Sequence, residues 1–186
     1  MACYIKGSDH LRSHSLSSTT SNFSFSRVDK TSKGILSNLL ELYCHDMSQW
    51  LDVETDERGT FSKHYNVLQC WENGGSVFIA KKGVLPIGFA IVQPAQQFTN
   101  AGGWDLKEFF VLRKYRRTGA GQKLAKFVWD TSSDKWLVRV HSANRPAVPF
   151  WRTTIESYSN GKCIEDIRDV NGNDWFYFSF EGAASC

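Results

Sequence analysis

The spacing of apolar residues changes along the chain between a helical period and a strand period. From residue 32 to residue 51, apolar side chains recur every three or four positions, as on one face of a helix. Elsewhere, short β-branched and aromatic runs end at glycine or asparagine turns, which is typical of strands. The expected strands are 23–28, 77–82, 87–92, 106–112, 136–140, 163–170 and 175–180, and the expected helices are 32–51, 62–71, 119–132 and 145–157. This order predicts an α/β chain with a mixed sheet and helices on its faces.

The two ends of the chain differ in composition from its middle. A length of 186 residues suits one domain with one core. Residues 1–22 are rich in serine and threonine, so we expect a flexible tail there and a single domain over 23–186. The shortage of acids in the tail also resembles an organelle transit peptide, which is the alternative interpretation. No apolar run approaches the ~20 residues of a membrane span, and we expect neither membrane association nor export.

The five cysteines stand at positions 3, 44, 70, 163 and 186, and none forms a Cys-x-x-Cys pair. An odd number of scattered cysteines is against a disulfide framework and against a zinc site. We therefore expect no metal and a reducing, cytoplasmic location.

Charge is unevenly distributed, although the net charge is only +3. Residues 107–126 hold seven basic residues against the single acid Glu108, and residues 46–57 hold five acids and no base. The first segment suits an anionic ligand and the second a cationic one. The basic residues flank a glycine turn and do not form a long stripe with stacking aromatics, so we expect no nucleic-acid partner.

The basic segment contains a strand, a glycine turn and the start of a helix. Gly119 and Gly121 let the backbone approach a ligand, and the first N–H groups of the helix point outward at the positive end of its dipole. Such a turn suits phosphate, and Arg116 and Arg117 beside it add positive charge. A tight turn with close helix packing needs the same glycines, so this pattern alone leaves both interpretations open.

The sequence of residues 116–121, Arg-Arg-Thr-Gly-Ala-Gly, resembles motif A of the GNAT acetyltransferases, where (Gln or Arg)-x-x-Gly-x-(Gly or Ala) follows the central strand. Residues 136–140, followed by Asn144 and Phe150-Trp151, resemble motif B, and the similarity extends over about 23–180. The resemblance implies the GNAT fold, an α+β architecture with a mixed, mostly antiparallel sheet of about seven strands flanked by about four helices. It also implies acetyl-CoA as co-substrate and no metal.

The resemblance assigns roles to individual residues around this loop. In the family, the strand before the loop offers backbone groups to the pantetheine arm, and the loop amides hold the pyrophosphate. The residues placed at the cofactor are Phe110, Val111, Leu112, Arg116, Arg117, Thr118, Gly119, Ala120, Gly121, Gln122, Asn144 and Trp151. The N–H of Val111 is the expected oxyanion donor. Many relatives have a tyrosine acid where this chain has Trp151; Tyr158 is the expected substitute, with water or the zwitterionic intermediate as alternative proton donors.

Catalysis requires a neutral amine, so a base or a water chain must accept its proton. Glu108 stands where several GNAT enzymes have such a carboxylate, and it is the expected base. The alternative is a structural pairing of Glu108 with Arg113, Lys107 or a neighbouring strand. His45 and His64 lie in predicted helices, where packed or solvated histidines are more common than catalytic ones.

In the GNAT fold, the first two helices and their connection wall the acceptor site, and in this chain that connection is acidic. Asp46, Trp50, Asp52 and Glu54 are therefore expected to bind substrate, since carboxylates and an aromatic face suit an aminated sugar. The alternative for these acids is a solvated helix end. The overall pattern, including residues 42–48, is similar to small bacterial enzymes that acetylate the 2′-amino group of the aminoglycoside kasugamycin, which implies antibiotic resistance.

Two other functions stay open at this point. One is acetylation of a protein N-terminus or lysine, and the other is a non-catalytic acetyl-CoA-binding module. An exposed edge strand near the C-terminus would also allow a homodimer.

Overall fold

The computed structural model describes residues 22–96, 98–99 and 102–183. The strands are β1 Phe23–Val28, β2 Ser76–Lys82, β3 Leu85–Pro94, β4 Trp104–Val111, β5 Lys135–His141, β6 Cys163–Val170 and β7 Asn173–Glu181. The helices are α1 Lys33–Met47, α2 Ala120–Trp129 and α3 Ala147–Ser159, with short 3-10 turns at Lys30–Ser32, Ser62–His64, Val67–Trp71 and Arg113–Tyr115. The tail expected over 1–22 lies, except for its last residue, outside the described residues, as does the transit-peptide alternative.

The seven strands form one sheet in the order β1-β2-β3-β4-β5-β7-β6. Every neighbouring pair is antiparallel except β4 with β5, which is parallel. The prediction of a mixed, mostly antiparallel α/β sheet is therefore confirmed. The parallel pair stands near the middle of the sheet, where a crossover through α2 connects its two strands.

The helix predicted over residues 62–71 is absent, so the described chain has three α-helices where four were expected. Two short 3-10 turns stand there, separated by Tyr65 in extended conformation. The Asn66 side chain accepts the N–H of Leu68 and so begins a new turn. Asparagine, aromatic and β-branched residues favour such local alternatives over a continuous helix.

Ser32, the first residue of the helix expected over 32–51, precedes α1 but does not cap it through its side chain. The cap belongs to Asp29, whose Oδ1 accepts the backbone N–H of Thr31 at 2.9 Å and so starts the 3-10 turn that leads into α1. The preceding turn satisfies the first amide groups of the helix, and the serine hydroxyl is not required for it.

The sheet packs helices on both faces. On one face, Leu124 and Trp129 of α2 and Ile155 of α3 pack with Trp136 and Phe178 of the sheet. On the other face, Leu36 and Leu40 of α1 pack with Ile79, Phe89 and Phe110 of the sheet. A large apolar side chain buried in this way contributes ~1.5–3 kcal/mol. Strand β4 lies between the two cores, so its position is fixed from both sides. Among the helices of the described residues, none has both the length and the apolar character that a membrane crossing requires.

Candidate active site

The parallel strands β4 and β5 separate part of the way along their length. They pair only through residues 104–106 and 136–138. Beyond that point, Glu108 to Val111 stay paired with β3, while Arg139 to His141 stay paired with β7. A wedge therefore opens between the carboxyl ends of the two strands. We call it the β4–β5 wedge.

Val111, the last residue of β4, directs its backbone groups into the β4–β5 wedge. The Leu112 N–H donates to Ile87 on β3 at 2.9 Å, and its carbonyl accepts from Tyr115 at 2.8 Å. Because backbone groups alternate in direction along a strand, Val111 turns its N–H and C=O away from β3 and toward the wedge. Phe110, which pairs with Phe89, faces β3 like Leu112. Of the three strand residues expected to offer free backbone groups, only Val111 faces the wedge, and because its carbonyl accepts from Arg116, the N–H is the group it can offer to a ligand.

The turn before α2 has the features of an anion site. Arg117 and Gly119 both adopt left-handed conformations, with φ of 62° and 83°. A Cβ placed on Gly119 would meet nothing within 4 Å, so the turn faces open space. The first amide bonded within the helix is that of Lys123, to the carbonyl of Gly119 at 3.0 Å. Helix geometry therefore leaves the N–H groups of residues 120–122 available to a ligand, at the positive end of the dipole.

The second glycine of the motif has a different role. A Cβ on Gly121 would lie 3.2 Å from Cζ of Phe150 and 3.8 Å from Cε1 of Phe109. Gly121 thus allows the α3 ring of Phe150 to pack against α2. Of the two glycines expected to admit a ligand, only Gly119 faces open space, and its role at the cofactor stays a prediction.

Asp46 joins the end of α1 to the motif A loop. Its carboxylate, in a residue only 7% exposed, binds Arg113 at 2.8 Å and Arg116 at 2.5 Å. Burial alone would raise the pKa of Asp46, but the two guanidinium groups outweigh it and lower the pKa. Arg116 also donates from Nε to the Val111 carbonyl at 2.8 Å. Asp46 is therefore committed to the loop and is no free carboxylate for a cationic acceptor, contrary to the expectation.

Glu108 lies at the α1 side of the wedge and is partly buried. It accepts a hydrogen bond of 2.5 Å from the hydroxyl of Tyr43 on α1. Burial raises the pKa of Glu108, and the Tyr43 hydrogen bond and the positive charge of Lys107 only partly offset it. Arg113, one of the expected structural partners, pairs with Asp46. Sequence reasoning missed Tyr43, although its place one turn before Asp46 on the same helix was a usable signal.

The two residues of motif B, Asn144 and Trp151, lie on different sides of β4. The Asn144 side-chain amide is 3.8 Å from the sulfur of Met47, so the segment after β5 touches the end of α1. Trp151 is buried and packs edge-on against Phe109 of β4 at 4.8 Å between ring centroids. Trp151 therefore supports β4 from the α3 face.

Tyr158 is placed away from the wedge, which contradicts its expected role as acid. Its hydroxyl donates to Asp130, just past the end of α2, at 3.0 Å and accepts the N–H of Ala183 at 3.0 Å. It lies eleven residues beyond Ala147 in α3, which corresponds to about 16 Å along a helix. Burial raises the pKa of Tyr158 to about 12, and the Asp130 carboxylate adds to the shift. The hydroxyl is thus a structural hydrogen-bonding group at the far end of the two helices.

The acidic segment after α1 is an ordered loop. Asp56 folds it, because its carboxylate accepts the N–H groups of Arg58 and Thr60 at 2.9 and 3.0 Å, which lowers its pKa strongly. Asp52 and Glu54 are exposed carboxylates on this loop.

Trp50, expected to bind substrate, and the two histidines His45 and His64 also lie in this region. Trp50 is partly buried where α1 ends. The His64 ring nitrogen Nε2 lies 2.7 Å from the Glu54 carbonyl, and the His45 side chain is 70% exposed. Neither histidine therefore has a described contact with Glu108 or with the wedge.

An aromatic pair missed by sequence reasoning stands at the end of β5. His141 and Trp175 are paired across β5 and β7, and their rings meet edge-on at 4.9 Å. His141 Nδ1 accepts the N–H of Ala143 at 3.1 Å. In the neutral ring the proton then sits on Nε2, which makes that atom a hydrogen-bond donor. Over the described residues, no group of three or more His, Cys, Asp or Glu side chains is arranged to hold a metal ion.

The sheet, the β4–β5 wedge and the glycine turn before α2 define an acyltransferase of the acetyl-CoA-dependent type. The chain belongs to the acetyltransferase (GNAT) family, whose sequence profile matches residues 38–154, more than half of its length. It is therefore an acetyl-CoA-dependent N-acetyltransferase. No curated protein sequence matches the chain.

Solved structures show the same fold at low identity. The spermidine N-acetyltransferase of Vibrio cholerae, in complex with CoA and spermine, is similar with a TM-score of 0.58 and 14% identity, over 88% of this chain and 97% of that one. Salmonella typhimurium yncA, with its cofactor acetyl-CoA, has a TM-score of 0.57 and 14% identity, over 89% and 97%. The ribosomal-protein-S18-alanine N-acetyltransferase of Escherichia coli has a TM-score of 0.54 and 16% identity, over 88% and 96%.

Proposed function

We propose that this enzyme acetylates a primary amine of a small cationic molecule, an aminoglycoside such as kasugamycin, and so confers antibiotic resistance. The observation that carries the proposal is that α1, which contacts the partly buried carboxylate of the wedge, continues into an exposed acidic loop. Glu108 faces α1, and the loop with Asp52 and Glu54 follows directly from the end of α1.

Binding of acetyl-CoA is assigned to the glycine turn and to the open edge of β4. The N–H groups of residues 120–122 and the exposed side chain of Arg117 are suited to the pyrophosphate. Thr118 shapes the turn, because its hydroxyl donates to the Tyr115 carbonyl at 2.7 Å. Arg116 acts indirectly by holding the loop to Val111 and Asp46. Acetyl-CoA supplies the activated acetyl group when bound.

Proton transfer is assigned to Glu108. An amine with a pKa near that of lysine is mostly protonated at neutral pH, so removing its proton is part of the barrier. Burial raises the pKa of Glu108 toward the working range of a general base. The Val111 N–H faces the wedge and is suited to stabilise a developing oxyanion. Because Tyr158 lies elsewhere and Trp151 has no acidic proton, water or the protonated amine is left to neutralise the thiolate.

Acceptor selection is assigned to the loop after α1. Asp52 and Glu54 are exposed carboxylates on this loop, and the partly buried Trp50 precedes them in the chain. Asp46 holds this loop to the cofactor side and does not contact the acceptor. Since a relative of this fold was solved with spermine and another is named for a protein alanine, polyamines and peptides are the competing acceptors.

The test is a thiol-release assay with acetyl-CoA against kasugamycin, other aminoglycosides, spermidine and a peptide with an N-terminal alanine. Turnover of an aminoglycoside with the highest kcat/KM supports the proposal. A preference for spermidine or for the peptide would assign the acceptor loop to those amines and overturn the aminoglycoside assignment. Absence of all turnover, with a melting temperature still raised by acetyl-CoA, would indicate a non-catalytic binding module.

A homodimer is part of this proposal. The outer strand β6 exposes Ile164 at 71% and Ile167 at 56%, and its free edge can pair with another strand. Sedimentation of the wild type and of Ile164→Lys tests this, since a dimer through β6 should dissociate in the variant.

A further inference from the structure

Tyr43 connects α1 to β4 through a side-chain contact between residues that are far apart in the sequence. Its hydroxyl is 2.5 Å from Oε2 of Glu108, across 65 positions of sequence. Its ring packs edge-on against Phe89 and Phe110, with centroid distances of 5.7 and 6.0 Å. The two ring contacts fix the direction of the hydroxyl, so the hydrogen bond does not depend on a flexible side chain.

We propose that Tyr43 is the positioning residue of the general base: its hydroxyl holds the Glu108 carboxylate ionised and in one orientation toward the wedge. This inference rests on the proposed function, in which Glu108 accepts the amine proton. A phenol that donates to a carboxylate stabilises its charged form, and such charge-assisted bonds are short and strong.

Among the described contacts, the other charged groups around Glu108 influence its carboxylate through their charge and not through a hydrogen bond. Lys107 on the same strand and Arg139 on β5 favour the carboxylate, and Asp105 opposes it. Arg139 is itself held by Asp105 through bonds of 3.0 and 2.8 Å. The thiol of Cys44 lies on the α1 side and that of Cys70 on the Val67–Trp71 turn, and burial raises the pKa of both, so they stay neutral. Tyr43 is therefore the group through which the orientation of Glu108 is set.

The direction of the proton follows from these environments. Burial and the neighbouring Glu108 raise the pKa of Tyr43 well above its usual value, so the phenol keeps its proton and remains a donor. In the reaction, the amine proton passes to Glu108 as the C–N bond forms, and the thiolate leaves as the C–S bond breaks. Glu108 is partly exposed, so its proton can then pass to solvent.

The experiment compares Tyr43→Phe with Tyr65→Phe. Tyr43→Phe keeps the ring between Phe89 and Phe110 and removes only the hydroxyl. Tyr65 is a matched control, because its hydroxyl also donates to a glutamate, Glu41 of α1, at 2.6 Å. The two readouts are the acid limb of kcat/KM and the titration of the Glu108 carboxyl carbon by NMR in protein labelled with 13C-glutamate, assigned through Glu108→Gln.

Loss of the donor should raise the Glu108 pKa, so in Tyr43→Phe both the carboxyl titration and the acid limb should move up by about one pH unit. In Tyr65→Phe neither should move. An unchanged Glu108 titration in Tyr43→Phe, with a wild-type melting temperature, overturns the inference. If Glu108→Gln keeps the acid limb, or if no amine is acetylated, the proposed function fails, and the NMR titration still decides whether Tyr43 controls the carboxylate.

Discussion

The proposed cofactor side and the proposed acceptor side of the β4–β5 wedge are built in different ways. The cofactor side is one continuous segment, in which the turn and the first residues of α2 present backbone N–H groups. The acceptor side combines α1, the loop after it and β4, and it presents side chains such as Glu108 and Tyr43. Backbone groups in a local motif follow from a short sequence, whereas side chains from distant elements meet only in the fold.

Asp46 stands on the boundary between these two sides. By sequence position it belongs to the acidic acceptor segment, but its carboxylate binds Arg113 and Arg116 of the cofactor loop. The comparison teaches that the charge of a residue is not enough to assign it to a ligand. What decides is which countercharge the fold brings within reach, and a buried carboxylate needs that partner.

The largest effect is expected from Glu108→Gln. Removing the proposed base should lower kcat/KM at least ~100-fold and abolish the acid limb of the pH profile, because general base catalysis contributes on that scale. The affinity for acetyl-CoA, measured by calorimetry, should change less than twofold. A comparable loss of cofactor affinity would mean that the two sides of the wedge are not separable.

The next largest effect is expected from Asp46→Asn, because the Asp46 carboxylate joins the two sides of the wedge. Loss of the charge leaves two arginines without their partner, so the free energy of unfolding should fall by ~2–3 kcal/mol and acetyl-CoA should bind about tenfold more weakly. Asp52→Asn is the control, since this exposed acid should change stability by less than ~0.5 kcal/mol.

The pH dependence of this effect has a definite sign. Because the arginines lower the folded pKa of Asp46, its contribution is present above its unfolded pKa of about 3.9 and is lost as the pH falls through the lower folded value. The stability difference between wild type and Asp46→Asn should therefore be constant near neutrality and shrink below about pH 4. Urea unfolding at several pH values measures it, and a difference that grows in acid would contradict the assignment.

A smaller pair of effects separates the two glycines of the motif. Gly119→Ala places a Cβ in the open space of a turn with φ of 83°, so it should weaken acetyl-CoA binding in addition to costing ~1 kcal/mol of stability. Gly121→Ala presses on Phe150 and should mainly lower the melting temperature. Equal losses of acetyl-CoA affinity in both variants would indicate that Gly121 also lies at the cofactor.

The smallest effect is expected from the double change Asp52→Asn and Glu54→Gln. Exposed carboxylates attract a cationic acceptor weakly, so KM for the amine should rise about two- to fivefold at low salt while kcat stays the same. The difference should disappear near 1 M salt, where the charges are screened. A change in kcat would indicate that these residues contact the reacting amine.

The sequence alone determined the strands, because alternating apolar positions have only one way to face a core. It also determined the glycine turn before α2, because Gly119 and the helix start act through local backbone geometry. It failed over residues 62–71, where the side chain of Asn66 offered the backbone a competing hydrogen bond. Only the tertiary structure decided the partners of Glu108, Asp46 and Asn144. Each of these residues contacts a partner that is far away in the sequence, by 65, 70 and 97 positions respectively. Such contacts depend on how the sheet and α1 pack against each other, and residue type and spacing do not encode that distance.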